Sequence, residues 1–330
     1  TMVDTIYAED EIIGTKKAQE IISKFRHAKV ISIERFGEVF NPSNQNFRIQ
    51  KINPALILAR KQKGFVLNAP KGFGIRDQDN YYFSHMYNCI YDCSYCFLQG
   101  MYSSANFVLF VNYEDFVLEI KKLISKKENI TFFSGYDCDS LALENITGFA
   151  SYILPIFKEY SNCILELRTK SNQIKPLDKI EPIKNCVIAF SLMPDKISLA
   201  LDKKAPTIKR RIATIKTLSA LGWKIGLRFD PLIFGDSWKD QYQDLHEKIF
   251  NVINISSIHS ISYGPLRFPI AMYKKINNMY QNEKLFVGPF EQNQSEVSYK
   301  QEIEDEMTEF CKNLSLNFAP ESLIFNCKSN

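Results

Sequence analysis

Beyond residue 88 the apolar residues gather in short β-rich runs at 129–134, 163–169, 186–192, 223–229 and 260–263. Helix-like segments separate them. Residues 113–126 place Phe116, Val117, Ile120 and Leu123 at the spacing of one helix face. Residues 207–221 follow Pro206 and precede Gly222, a start and a stop for a helix whose basic residues are expected on its exposed side. This alternation predicts parallel strands joined by right-handed crossovers. With one more strand before Cys89 it amounts to about six units, an α/β fold built as a partial (β/α)6 TIM-like barrel. Residues 1–80 lack the alternation; 12–25 reads as a helix and 63–74 as a loop rich in Gly and Lys. The expected organisation is an N-terminal basic extension (1–80) packed on a barrel (81–270), then a polar C-terminal appendage facing the substrate (271–330), of which 327–330 is a tail.

Composition narrows the class. The chain has 330 residues, 45% hydrophobic and 24% charged, which excludes disorder and low complexity. Its longest uninterrupted apolar run, 107–111, is far short of a membrane span. The opening TMVDTIYAED has no basic stretch leading into an apolar one, so a secretory leader is not expected and the cytoplasm is the expected compartment. The net charge is +4, and residues 1–88 hold the whole excess, with 13 basic against 9 acidic groups. Basic residues cluster at Lys16, Lys17, Lys24, Arg26 and Lys29, and again at Arg60, Lys61, Lys63 and Lys71. So small an excess reads first as a solvated face, and second as a footprint for a polyanion.

The cysteines carry more. Of eight, three are packed into CIYDCSYC as Cys89, Cys93 and Cys96. In a chain of this kind such a cluster reads as metal or cofactor ligation rather than a disulfide frame. Cys163 and Cys186 lie in apolar runs and read as small core residues; Cys311 and Cys327 have no assignment. Two ligand readings stand. Structural zinc wants a closed tetrahedron, which His85 would complete. An iron–sulfur cluster with three thiolates keeps one iron open for chemistry. Spacing alone leaves both open.

The C-x3-C-x2-C spacing with Tyr95 before the last cysteine is similar to the motif of radical S-adenosylmethionine enzymes. Ser94-Tyr95-Cys96-Phe97-Leu98-Gln99 resembles the cluster segment of the spore photoproduct lyase-like family. So do Ala189-Phe190-Ser191-Leu192-Met193-Pro194 and the stretch from Gly222 to Ile233 with Trp238 and Tyr242 after it. The pieces follow the family order from about residue 5 onward.

The resemblance implies a barrel of the radical S-adenosylmethionine type. Cys89, Cys93 and Cys96 would hold a [4Fe–4S] cluster whose open iron binds S-adenosylmethionine. Reductive cleavage would give a 5′-deoxyadenosyl radical, the protein positioning the cofactors and excluding water. Tyr95, Ser140, Lys170, Ser191, Arg228 and Asp230 would meet the cofactor, Lys170 through the methionine carboxylate. Sites of parallel α/β folds lie at the carboxyl ends of the strands. Ser134-Gly135, the segment 138–140, Arg168 to Ser171, Ser191, Arg228 with Asp230, and Arg267 are all expected on that rim. Cys138 stands where the lyases place a hydrogen-donor thiol. Implied partners are damaged DNA and an electron donor such as flavodoxin or ferredoxin; no membrane is involved.

Two departures stand out. The lyases carry a tyrosine directly after the third cluster cysteine, a hydrogen relay that Phe97 cannot provide. Tyr95 and Tyr136 are the alternative relays, and without one S-adenosylmethionine is consumed. In place of a basic, glycine-rich hairpin near the C-terminus, this chain has 286–292 followed by Glu296, Glu302, Glu304, Asp305 and Glu306. Acid repels a phosphate backbone, while Phe286 and Phe290 are candidate wedges between bases. The leading expectation is therefore a radical S-adenosylmethionine lyase that reverses a thymine photoproduct in DNA. The same chemistry on a modified nucleotide, RNA or a peptide is the second, and a zinc-stabilised nucleic-acid-binding protein the third.

Overall fold

A computed structural model describes residues 3–70, 73–74 and 78–326; Lys71, Cys327 and the tail 327–330 lie outside them. The expected barrel is present as a sheet of eight strands. Its order is Ile324–Asn326, Ile258–Pro265, Lys224–Leu232, Cys186–Ser191, Cys163–Thr169, Ile130–Ser134, Asp79–Phe83 and Leu67–Asn68. Every pairing is parallel except that of the short Leu67–Asn68 strand at one edge. The six anticipated strands are the central ones, and two further strands extend the sheet at its edges.

The crossover helices follow the predicted periodicity. Helix Tyr113–Ile124 buries Tyr113, Phe116, Ile120 and Ile124. Helix Ile208–Leu221 begins on the Thr207 side chain, which accepts from the Arg210 amide, and ends on Gly222 at φ 100°. One expectation fails on this helix. Arg211 is fully buried rather than solvated, because a carboxylate waits for it, as described below.

The first 80 residues are more ordered than their pattern suggested. Thr5–Glu9, Lys29–Ile33 and Leu56–Ala59 are parallel strands of a second sheet, in the order Lys29–Ile33, Thr5–Glu9, Leu56–Ala59, Phe107–Phe110, Met86–Tyr87. Its last two strands come from beyond residue 80, so the N-terminal unit and the barrel are interleaved along the chain. The single helix expected at 12–25 is two, Asp10–Ile13 and Lys16–Ser23, parted at Gly14 and restarted by the Thr15 side chain.

At the other end, Arg267–Pro269, Glu296–Tyr299 and Phe290–Gln292 form a small antiparallel sheet. Helix Gln301–Leu316 packs back on helix Trp238–Phe250 and strand Ile258–Pro265. Two expectations change here. The Phe290 ring stacks on Tyr299 at 5.1 Å and Phe286 on Tyr280 at 6.4 Å, so both are packing residues and not free wedges. Val287 is the exposed apolar tip, at 85%. The acidic run also divides. Glu291 and Glu296 belong to the small sheet, while Glu302, Asp305 and Glu306 ride on the helix at the barrel flank, and Glu304 is buried.

Candidate active site

The cysteine loop hangs between the two sheets and is held from three directions. Asn88, at φ 68°, turns the chain into the loop, and its side chain donates to the Ser104 and Asn106 carbonyls at 2.7 and 2.8 Å. From the barrel, Asp202–Lys203 pairs with Asp92–Cys93, and the Ser94 amide donates to the Leu201 carbonyl at 3.0 Å. From the N-terminal unit, Arg48 on helix Phe47–Ile52 grips both oxygens of Asp92, at 2.8 and 3.0 Å. Lys51 of the same helix donates to the Cys89 carbonyl at 2.5 Å. From the appendage, helix Ile270–Met279 approaches so closely that a Cβ on Gly100 would stand 2.8 Å from the Met272 carbonyl oxygen.

Cys89, Cys93 and Cys96 open into one pocket of about 160 Å³ that is partly open to solvent. The same pocket is lined by Cys138, Lys170, Ser191, Phe97, Tyr136, Asp139, Arg168 and Lys51. Its floor is set by Gly135, at φ 91°, where a Cβ would meet Ser140 Oγ at 2.5 Å and the Arg168 carbonyl at 3.1 Å. Asp139 ties two strand-end loops together. Its carboxylate accepts from the Leu141 and Ala142 amides, from Thr169 Oγ1 at 2.6 Å and from the Lys170 amide at 2.7 Å. That fixes the chain position of Cys138 against that of Lys170.

Lys170 is the charged centre of the barrel side. Its Nζ lies 3.5 Å from Cys93 Sγ and 3.6 Å from Asp202, over the Tyr95 ring. Asp202 in turn accepts from the Tyr95 hydroxyl, from Ser198 at 3.1 Å and from Arg211 at 2.7 Å. Arg211 also donates to the carbonyls of Ser191 and Pro206. Burial works against the Asp202 charge, but Lys170 and Arg211 outweigh it and hold the carboxyl far below its usual range. Burial pushes the Cys138 thiol well above its usual range, helped by Cys89, Asp137 and Asp139, so it stays S–H.

Of the expected site residues, the pocket brings together Cys89, Cys93, Cys96, Cys138, Lys170 and Ser191. It does not include four others. The Tyr95 hydroxyl is spent on Asp202. Ser140 Oγ donates to the Ser134 carbonyl at 2.7 Å and ties the loop instead of facing the cavity. Arg228 is fully buried in the barrel, 2.7 Å from Glu166. Asp230 pairs with Arg267 at 3.4 Å in a neighbouring cleft. Arg228 lies level with Ser191 in the sheet register, but its guanidinium is taken by Glu166, and Asp230 two residues on is taken by Arg267. Lys51, Asp202 and Arg211 went unread in the sequence, and Asp139 was read only as part of the rim segment 138–140. Only Asp139, an Asx-type capper after a glycine turn, carried a local signal.

The donor set also separates the ligand readings. His85 is 2% exposed, stacks on Phe149 at 4.2 Å and does not line the pocket; burial drives its pKa down to about 3. Among the described residues no three His, Cys, Asp or Glu side chains are arranged around a single ion. Three thiols on one pocket wall, with an ammonium beside one of them, suit a larger thiolate-bound cluster with an open side.

The family profile described as spore photoproduct lyase matches residues 2–302. The chain belongs to the spore photoproduct lyase family. Spore photoproduct lyase of Clostridium acetobutylicum is 23% identical over 211 residues, 62% of this chain and 62% of that enzyme's length. Among solved structures, a spore photoproduct lyase mutant with bound AdoMet and dinucleoside spore photoproduct superposes with a TM-score of 0.86, at 16% identity, over 99% of both chains. A spore photoproduct lyase complexed with dinucleoside spore photoproduct gives 0.84, at 16% identity, over 98% of both. These likenesses establish the shared fold, the partial barrel expected from the strand–helix alternation.

Proposed function

We propose that this member of the spore photoproduct lyase family is a radical S-adenosylmethionine lyase that reverses a thymine photoproduct in DNA. The observation that carries the reading is one pocket lined by a three-thiol ligand set, the partly buried Lys170 ammonium and a separate protonated thiol. Cys89, Cys93 and Cys96 would hold the [4Fe–4S] cluster, and Lys170 with Ser191 would receive the amino-acid end of S-adenosylmethionine. When bound, these groups supply an electron and then an adenosyl radical that takes hydrogen from the lesion. The chain's own part is to anchor the loop, to keep the cavity narrow and to present Cys138. A buried thiol that remains S–H is suited to give a hydrogen atom to a product carbon radical. Strand–helix folds place such groups on the carboxyl rim, where Ser191, Lys170 and Cys138 all lie. The reading includes an electron donor such as flavodoxin or ferredoxin, and a cytoplasmic setting; among the described residues no helix is long and apolar enough to cross a membrane.

Phe97 lines the pocket and its ring lies 5.4 Å from Tyr136. Tyr95 is committed to Asp202, so Tyr136 is the remaining candidate to return hydrogen to the cofactor. We expect close to one 5′-deoxyadenosine per product in the native protein, and fewer with Phe97→Tyr. Many products per deoxyadenosine in the native protein would make Tyr136 the relay.

The test is anaerobic incubation of reconstituted protein with S-adenosylmethionine and ultraviolet-damaged DNA, following lesions and 5′-deoxyadenosine together. Loss of lesion with deoxyadenosine formation supports the reading. Deoxyadenosine without lesion loss moves the same chemistry to a modified nucleotide, RNA or peptide.

A further inference from the structure

Two ammonium groups flank the cysteine loop, Lys170 partly buried and Lys51 buried, and they are compensated differently. Lys170 has a carboxylate within reach, Asp202 at 3.6 Å, which it shares with Arg211. Lys51 comes from the other side, on a helix of the N-terminal unit. It is 4% exposed and lines the pocket beside Cys89, Cys93 and Cys96. Its Nζ donates to the Cys89 carbonyl at 2.5 Å, a neutral acceptor. The acid facing it is Asp92, and Arg48 already holds both Asp92 oxygens. Burial works against the Lys51 charge; its Nζ also lies 5.8 Å from the centroid of the Phe107 ring, and it lines the same pocket as Cys89, Cys93 and Cys96.

A buried charge without a partner is strongly unfavourable, and a fold keeps one only when something compensates it. With the cysteines as neutral thiols, the Lys51 ammonium has no counter-charge of its own. With the same cysteines as thiolates on a metal cluster, it does. We infer that Lys51 is the built-in counter-ion of the thiolate-bound cluster, favouring its assembly and raising its reduction potential from outside the barrel. The inference rests on the iron–sulfur reading of the site given above. One-electron reduction adds negative charge close to a fixed positive one, in surroundings poor in water, where the attraction is strong. Charge and hydrogen bonding around the sulfurs are among the determinants of such potentials. Arg48, Asn88 and strand Asp202–Lys203 also hold the loop, so what Lys51 adds beyond its bond to the Cys89 carbonyl is its charge.

The experiment uses full-length native, Lys51→Met and Lys51→Arg proteins, reconstituted anaerobically without substrate or S-adenosylmethionine. Iron per chain is measured first, and the midpoint potential is then followed by electron paramagnetic resonance. Lys51→Met is expected to be at least about tenfold harder to reduce, a downward shift of about 59 mV for one electron. Lys51→Arg is expected to stay within about threefold of native. If Lys51→Met loses iron while Lys51→Arg keeps it at the native potential, the counter-ion role is again supported, since charge and not shape restores the site. A native potential in Lys51→Met overturns it. Loss of iron in both variants also overturns it, because the requirement is then for the shape of lysine. A native chain that takes up no iron fails at the earlier step and removes the cluster reading together with this one.

Discussion

The two sides of the pocket solve the same electrostatic problem in opposite ways. On the barrel side, Lys170 and Arg211 share the single carboxylate of Asp202, which also accepts from the Tyr95 hydroxyl; the set holds one positive charge in excess, but each cation has a carboxylate oxygen within 3.6 Å. On the N-terminal side, Arg48 and Asp92 satisfy each other and Lys51 is left facing cysteines. The first arrangement supplies its own carboxylate in the bare protein. The second is completed by what the cysteines carry. The barrel side is therefore part of the fold's own stability, and the N-terminal side is coupled to cofactor loading.

The contrast can be broken at several points. The largest effect is expected from Asp202→Asn, which strands a fully buried Arg211. Breaking such a pair costs about 3–5 kcal/mol, to be read as a lower denaturant midpoint at unchanged slope. A midpoint equal to native would show that Arg211 does not depend on Asp202.

Acid should reach the barrel first. Burial opposes the charge on Glu166, but Arg228 and Arg168 hold its pKa down to about 2. A lowered carboxyl pKa gives stability that is fully present above about pH 4.5 and is lost as pH falls toward 2. Unfolding free energy should drop by roughly 3 kcal/mol across that window, and Glu166→Gln, though less stable at neutral pH, should flatten that limb.

Lys170→Ala should weaken S-adenosylmethionine binding about 10- to 100-fold, the worth of one charge-assisted bond. Iron content should not change, and an unaltered dissociation constant would remove Lys170 from the site. The smallest effect belongs to the half-exposed Arg48. Its loss should cost about 1 kcal/mol or less in global stability, yet speed iron release to a chelator, because Asp92 is one of the loop's anchors. Equal release rates from native and Arg48→Ala proteins would uncouple the N-terminal side from loading.

How far the sequence exposed all this follows from what each feature depends on. The barrel was legible because runs such as 163–169 and 186–192 are largely buried on both faces, and helices of clear period, Tyr113–Ile124 and Ile208–Leu221, precede two of its other strands. The N-terminal sheet was not, since its strands are two to five residues long and two of them arrive from beyond residue 80. Cys89, Cys93, Cys96 and Cys138 were legible by local spacing and resemblance. Arg228 and Asp230 were assigned by their place near a strand end, which says nothing of the Glu166 and Arg267 side chains that engage them. Tyr95 was assigned by its place beside Cys96, which says nothing of the Asp202 waiting 107 positions away. Lys51 is invisible for the same reason. A lysine among apolar residues on a short helix looks like any surface lysine until a distant loop closes over it.

The interleaving of the two sheets also bears on how the chain is made. Leu56–Ala59 leaves the ribosome with one edge satisfied by Thr5–Glu9, and its other partner, Phe107–Phe110, follows only after the first barrel strand and the whole cysteine loop. All four residues of each strand are buried in the finished protein. A nascent chain paused before residue 107 therefore presents an open, wholly apolar strand edge, the kind of template on which chains associate. That edge closes only once Phe107–Phe110 has cleared the ribosome, so a translational pause just before it emerges should raise the fraction of insoluble product more than a pause of equal length after it has emerged.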